Sequence, residues 1–339
     1  MHSQAKSVIA LLVCAFIWGT AFVGQKTGMD NIGPFYFVAF RNAIGALALL
    51  PIYFVSKKIM VPKSAPAIAS KDVLASADKE LPANAGKDEA SAVFPAMAPA
   101  GAAQYDPFRQ ALKGGFFCSI FLFLASVAQQ AGLIYTTAGK SAFITTLYII
   151  LVPIIAIFLR HKTTFRVWIG AVLAVLGLYF LCLSGEGQGA LNRGDIFTIV
   201  GSFFWAGHIL TMDKFAPHAN VSLLVLFQSI FSALWAFPAG LIFEEISMDG
   251  FMAALPALLY VGILSTGIAY TLQGLGQKNC DPTLASIIMS LESVFAVIAG
   301  LVMLHEIMNG REVTGCVLMF AAIIIAQLPD KKEKAPVSE

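Results

Sequence analysis

Residues 16–19 read Phe16-Ile17-Trp18-Gly19, and residues 203–206 read Phe203-Phe204-Trp205-Ala206, 187 positions further on. Three more matches fall at that spacing: Phe40-Arg41 with Phe227-Gln228, Ala46-Leu47 with Ala233-Leu234, and Pro51 with Pro238. Further along the spacing changes. Gln129 pairs with Gln273, Leu147 with Leu291 and His161 with His305, all 144 apart. Two offsets, each held over several matches, imply two copies of one unit. Their difference of 43 residues is the size of an insertion carried by the first copy.

Each copy is a series of apolar runs. A helix needs about 20 mainly apolar residues to cross a bilayer, and ten segments qualify: 7–26, 34–56, 111–135, 139–160, 165–184, 194–214, 220–243, 251–276, 283–304 and 311–328. Hydrocarbon offers no partner for an unpaired backbone group, so these runs are expected as helices. They also lack the polar residue at every second position that a barrel strand carries. Five spans per copy is an odd number, so the second copy enters the membrane from the opposite face. The expected fold is an all-α polytopic membrane protein of ten transmembrane helices, arranged as two inverted five-helix repeats at 7–184 and 194–328. Residues 329–339 form a tail. Inverted repeats are a recurrent design of secondary transporters, because two pseudo-equivalent halves can exchange conformations around a central site.

Composition agrees. Of 339 residues 58% are hydrophobic and 12% charged, against about 25% charged in soluble domains. A soluble chain of this size could not cover so much apolar surface. The net charge of +2 gives no footprint for nucleic acid. The five cysteines lie at 14, 118, 182, 280 and 316, with no C-x-x-C pair, which argues against a metal or redox motif. The run after Lys6 has no A-x-A-like cleavage site, so it reads as a retained first span.

Residues 58–107 match the insertion. They are rich in Ala, Pro, Lys, Asp and Ser and lack the apolar content to offset their ordering entropy. A disordered cytoplasmic loop is expected, with a short helix near Lys71–Glu80 as an alternative. With the amino terminus inside and that long loop set aside, nine basic residues fall inside and four outside: Lys26, Lys140, Arg193 and Arg311. The positive-inside rule then places both termini in the cytoplasm of a cell with this chain in its cytoplasmic (inner) membrane.

Four stretches resemble the EamA family of the drug/metabolite transporter superfamily: AFIWGTAFV (15–23), FVAFRNAIGALALLP (37–51), TTAGKSAFITTLYIILVPIIAIFL (136–159) and PTLASIIMSLESVFAVIAGLVMLHE (282–306). The resemblance implies ten helices, a central cavity lined from both halves, and secondary transport, usually export of amino acids or related metabolites. One departure stands out. The family often has Pro after the Glu of the ninth span, and Ser293 takes that place here, which predicts less kinking.

Buried ionisable groups cost at least about 2.5–3.5 kcal/mol in a membrane, so each needs a reason. Glu292 lies near the middle of the ninth span, with Tyr148 as its repeat mate. It reads either as a cavity acid that binds a cation or carries a coupling proton, or as a structural acid tying helices together. Arg41 could hold a substrate carboxylate, pair with Glu292, or cap carbonyls. Lys140 opens the fourth span, either snorkelling to the interface or lining the outer mouth. Trp18 and Trp205 are deep and matched, suited to cavity walls or to aromatic packing. His208, three residues past Trp205, could titrate near neutral pH or serve as a hydrogen-bonded core residue. Gln129 and Gln273, the symmetric pair, suit a polar substrate or helix–helix glue. Gly170 and Ala174 permit close helix approach, for packing or a homodimer seam. The glycines of 185–189 follow a helix and precede no strand–helix unit, and no Walker sequence exists, so no nucleotide cradle is read there.

The expectation is a secondary carrier of a small metabolite, an amino acid or related compound, exported by alternating access through the lipid bilayer. No cofactor and no metal are expected. A receptor or scaffold acting through the 58–107 loop is the alternative, and a membrane-embedded enzyme a more distant one.

Overall fold

The computed structural model describes residues 2–60, 106–158, 165–182, 192–280 and 282–327. Among them the chain is helical throughout, with no strand. Its helices are α1 (His2–Met29), α2 (Pro34–Met60), α3 (Pro107–Leu133), α4 (Ala138–Thr145), α5 (Tyr148–Phe158), α6 (Phe165–Cys182) and α7 (Arg193–Phe215). There follow α8 (Val221–Phe243), α9 (Met248–Tyr260), a π-helical stretch (Val261–Ala269), α10 (Tyr270–Gln277), α11 (Pro282–Met289), α12 (Glu292–Met303) and α13 (Gly310–Gln327). The region expected as a disordered insertion, its alternative helix, the 185–189 glycines and the 329–339 tail lie outside the described residues, apart from residues 58–60, which extend α2, and 106–107, at the start of α3.

Eight helical stretches are long and apolar enough to cross a membrane: Ala5–Met29, Pro34–Pro51, Pro107–Leu133, Ala138–Phe158, Arg193–His218, Val221–Phe243, Met248–Gln277 and Pro282–Met303. The chain is a multi-pass membrane protein. The other two long helices, α6 and α13, pack against each other, and α13 contains a shorter apolar run, Val313–Ala322.

Local chemistry sets the helix ends. Proline opens α2, α3 and α11, where its missing N–H costs nothing. The Asp106, Asn192, Asn220 and Ser247 side chains each accept from a backbone N–H of the first turn that follows, satisfying groups that lipid would leave bare. Large apolar side chains such as Leu47, Val172 and Ile242 face outward, toward acyl chains. The interior holds the polar ones: Arg41, Asn42, Gln129, Gln228, Gln273 and Glu292 are all buried.

α1 runs through the middle, against α9 to α12 and the π stretch on one side and α3 and α4 on the other. Gly19 makes its closest approach possible. A Cβ there would stand 2.4 Å from the Phe295 Cβ and 2.6 Å from the Glu292 carbonyl oxygen.

Two expected single spans are each two helices. The fourth breaks at Thr146-Leu147 and the ninth at Ser290-Leu291, positions related by the 144 offset. The expectation of a straighter ninth span at Ser293 is therefore corrected. The Ser290 hydroxyl donates to the Ile287 carbonyl at 2.6 Å, and the Ser293 hydroxyl to the Ser290 carbonyl at 2.8 Å. Such back-bonding competes with the helix ladder and bends it without proline. Thr146, donating to the Phe143 carbonyl at 2.7 Å, plays the same part in the fourth span.

Candidate functional site

The two breaks meet at one place. Tyr148 begins α5 and Glu292 begins α12, and the Tyr148 hydroxyl donates to Glu292 Oε1 at 2.9 Å. Around them a cavity is lined from α1, α2, α3, α7, the π stretch and α10. Trp18, Arg41, Gln129, Tyr148, Trp205, Gln273 and Glu292 all line it. Three matched pairs thus come together in one space: Trp18 with Trp205, Gln129 with Gln273, and Tyr148 with Glu292.

The cavity is small, about 30 Å³. Its walls are held by a chain of hydrogen bonds. Trp205 Nε1 donates to Gln129 Oε1 at 2.8 Å, and Gln129 Nε2 donates to Gln25 Oε1 at 3.1 Å. The same Gln25 oxygen accepts from Arg41 at 3.2 Å, and the second arm of the guanidinium donates to Ser126 Oγ at 3.1 Å. Trp18 Nε1 donates to the Ser265 carbonyl in the π stretch at 3.3 Å. π turns inside membrane helices often mark functional positions. The Tyr270 ring lies against Trp18 at 5.1 Å and Trp205 at 6.4 Å between centroids.

The electrostatics are unbalanced. Arg41 is buried, and its hydrogen-bond partners Gln25 and Ser126 are neutral, whereas Lys140 is paired with Asp195. The alternative that pairs Arg41 with Glu292 is thereby corrected. Buried polar atoms are normally satisfied, yet Arg41 Nε, Thr145 Oγ1 and both amide atoms of Gln273 have no protein partner, and all three residues line the cavity. The site thus holds a cation, an acid, and donors and acceptors without a protein partner.

Two expected cavity residues lie elsewhere. Lys140 donates to Asp195 Oδ2 at 3.0 Å, tying the first turn of α4 to the first turn of α7. It is too close to the helix start to reach the centre. His208 sits behind the wall, edge-on to Trp205 and Tyr270, with Nε2 hydrogen-bonded to Gln228 Oε1 at 3.1 Å. Gly170 is buried within the single chain, so its small size serves packing there; the Ala174 side chain lies outside the described ones. Among the described residues no group of three or more His, Cys, Asp or Glu is placed to hold a metal ion.

A family model for EamA-like transporters matches residues 5–73 and 192–327. The chain belongs to the EamA-like transporter family. It is a membrane transporter, and its family is not one of enzymes. An uncharacterized transporter of Archaeoglobus fulgidus is 27% identical over 322 residues, 94% of this chain and 85% of that protein. The transporter YetK of Bacillus subtilis is 24% identical across 100% of this chain and 92% of its own. The threonine/homoserine exporter RhtA of Salmonella typhimurium is 26% identical over 181 residues, 53% of this chain and 60% of that protein. A solved crystal structure shares the fold, with a TM-score of 0.63 at 14% identity over 96% of this chain and 97% of the other.

In this EamA-like chain several wall residues escaped the sequence reading, among them Gln25, Thr145, Ser265 and Tyr270, as did Ser126, which holds Arg41 from behind. The signal for Gln25 was present. Trp18, Phe22 and Gln25 follow i, i+4, i+7 and so share one helix face. Tyr270 likewise stands one turn before Gln273, and Thr145 one turn before Tyr148.

Proposed function

We propose that this transporter is a secondary carrier that exports a small zwitterionic metabolite, an amino acid or a close relative, across the cytoplasmic membrane by alternating access. In this reading the chain is two inverted five-helix repeats, 7–184 and 194–328, with both termini cytoplasmic. The observation that carries it is the charge arrangement of the cavity. Arg41 is buried without a carboxylate partner, and Glu292 faces the same space with one neutral partner, Tyr148. A substrate carboxylate at Arg41 and an ammonium at Glu292 would compensate both charges.

Three further features support the reading. Broken helices at matched positions are the commonest frame for a transporter's substrate site, because half-helix ends present unpaired backbone groups there. The matched wall residues come from both proposed repeats, as alternation around a fixed site requires. A relative of this chain is named a threonine/homoserine exporter. When no substrate occupies the site, Glu292 is the group placed to take up a proton, which makes proton exchange the proposed coupling.

The test is counterflow in proteoliposomes with a panel of amino acids, amines, carboxylates and sugars. The expected result is exchange of zwitterions, with amines and simple carboxylates at least about tenfold slower, since each engages one of the two charges. Exchange of sugars alone, or of nothing in the panel, would overturn the reading.

A further inference from the structure

Two glutamates do a job that neither the cavity nor the repeat explains. The Glu306 carboxylate, just past α12, accepts from the backbone N–H of Ala138 at 2.8 Å and of Gly139 at 3.2 Å, the first turn of α4. The Glu244 carboxylate, just past α8, accepts from Phe35 at 2.8 Å and Tyr36 at 2.9 Å, the first turn of α2. In both cases a residue late in the chain closes the positive end of a helix early in the chain, where orphan N–H groups and the helix dipole favour an anion.

Both contacts are built for. A Cβ on Gly33 would lie 2.2 Å from the Glu244 carboxyl carbon, and one on Gly300 would lie 2.6 Å from Glu306 Oε2. His305 holds a left-handed φ of 54° where the chain turns toward Glu306, a conformation uncommon outside glycine. Both contacts are also on one face. α1 ends and α2 begins there, and Lys26 near the end of α1 donates to the Leu133 and Thr136 carbonyls beside the start of α4.

The sequence breaks its own symmetry at these points. At the offsets of the repeat, Glu244 corresponds to Lys57 and Glu306 to Lys162. A lysine only donates, so it cannot cap a helix amino terminus. The capping pair therefore belongs to one face of the carrier. Each capped helix also leads to the cavity: α2 carries Arg41 two turns in, and α4 ends at Thr145.

We propose that Glu244 and Glu306 are a two-point latch on this face, and that the cavity opens toward it when the carboxylates leave the starts of α2 and α4. They are positioning residues for transport, acting through the helices they hold. The inference rests on the carrier reading of the cavity, but its measurement needs no substrate.

The experiment is pulsed electron paramagnetic resonance on the full chain in proteoliposomes, with the five native cysteines replaced. One spin-label pair, at Asp30 and Ile242, spans the α2–α8 contact. A second, at Tyr135 and Ile307, spans α4 and α12. Changing Glu244→Gln together with Glu306→Gln removes the charge and keeps the size. The expected result is that both pairs gain a longer-distance population. Its ratio to the short one should rise about tenfold, matching about 1.4 kcal/mol of lost charge-assisted bonding. A merely structural cap would lower thermal stability and leave the distances where they were. Unchanged distances at both pairs overturn the proposal, and a change at one pair alone overturns its two-point form. If the double variant does not fold, the two single variants are read in the same way, and loss of fold in both also overturns it. A protein that opens on this face yet exchanges nothing keeps the latch and loses the carrier reading. One that exchanges zwitterions with unchanged distances does the reverse.

Discussion

Tyr148 and Glu292 occupy equivalent positions 144 residues apart, each opening the second half of a broken helix, and they are hydrogen-bonded to each other at 2.9 Å. In the proposed two-repeat reading these are symmetry mates that chemistry has made unlike, one an acid and the other its donor. Changing Glu292→Gln keeps the shape and an acceptor for Tyr148 but removes the charge. Loss of a charge-assisted contact of about 1.5–3 kcal/mol lowers exchange at least about tenfold. The response of exchange to a pH gradient is expected to vanish. Counterflow with and without the gradient reads both, and a variant with unchanged rates under both conditions removes Glu292 from coupling.

Arg41 separates stability from function. A buried cation without a counter-ion is costly, and an apolar group of similar volume removes that cost. Arg41→Met should therefore melt no lower than the native protein in a thermal-shift measurement while losing zwitterion exchange. Arg41→Lys should not restore it, because an ammonium lacks the planar fork that engages both Gln25 and Ser126. A clear drop in melting temperature for Arg41→Met would mark Arg41 as a structural residue.

Gln25 should behave as part of the site although it has no repeat mate. Its one oxygen accepts from Arg41 and from Gln129, so Gln25→Met leaves two buried donors unpaired, at about 1–3 kcal/mol each. The expected kinetic signature is a raised KM with a smaller change in maximal rate, from an Arg41 no longer held in register. Substrate titrations of the counterflow rate measure the split.

Lys140 should show the opposite profile. Removing it as Lys140→Met strands Asp195, which is buried with Oδ1 already unpartnered, and destabilises the protein by about 3 kcal/mol. Asp195→Asn in the same chain should recover much of that loss. KM should not move in either protein, because the pair stands away from the cavity.

Gly19→Ala should be more damaging than an alanine in a helix ordinarily is. The added methyl meets the Phe295 Cβ and the Glu292 carbonyl oxygen, so α1 must shift away from the start of α12. Overpacking of this kind costs about 1–3 kcal/mol. Thermal melts and exchange rates should fall together, since the displaced helix carries Trp18 and Gln25.

Much of this was legible in residue order, for physical reasons. Apolar runs of span length read as helices because lipid leaves the backbone no other partner, and eight of them are long and apolar enough to span a membrane in the folded chain. Trp18, Gln129, Tyr148 and their partners could be paired because fixed offsets of 187 and 144 residues link them along the chain, and they line one cavity. Rotation about each helix axis is not written that way. Gln25 gave its face away only through its spacing from Trp18, and Lys140 and His208 could not be assigned to a wall without knowing which way their helices turn. The break at Ser290-Leu291 was missed because proline was taken as the sign of a bend, whereas here serine hydroxyls compete for the carbonyls. Glu244 and Glu306 sit in loops, where no periodicity points to a partner some 170 to 210 residues away.

The small size of the cavity has a consequence for the cell. A pore that stood ready for a metabolite would also pass sodium ions and protons, and would short-circuit the membrane it spans. In the proposed carrier, a centre filled by indole, phenol and amide groups would keep the empty protein tight to ions. Passage through that proposed carrier would open only when a cargo able to satisfy both charges pushes those groups aside, so electrical tightness and selectivity would come from the same packed walls.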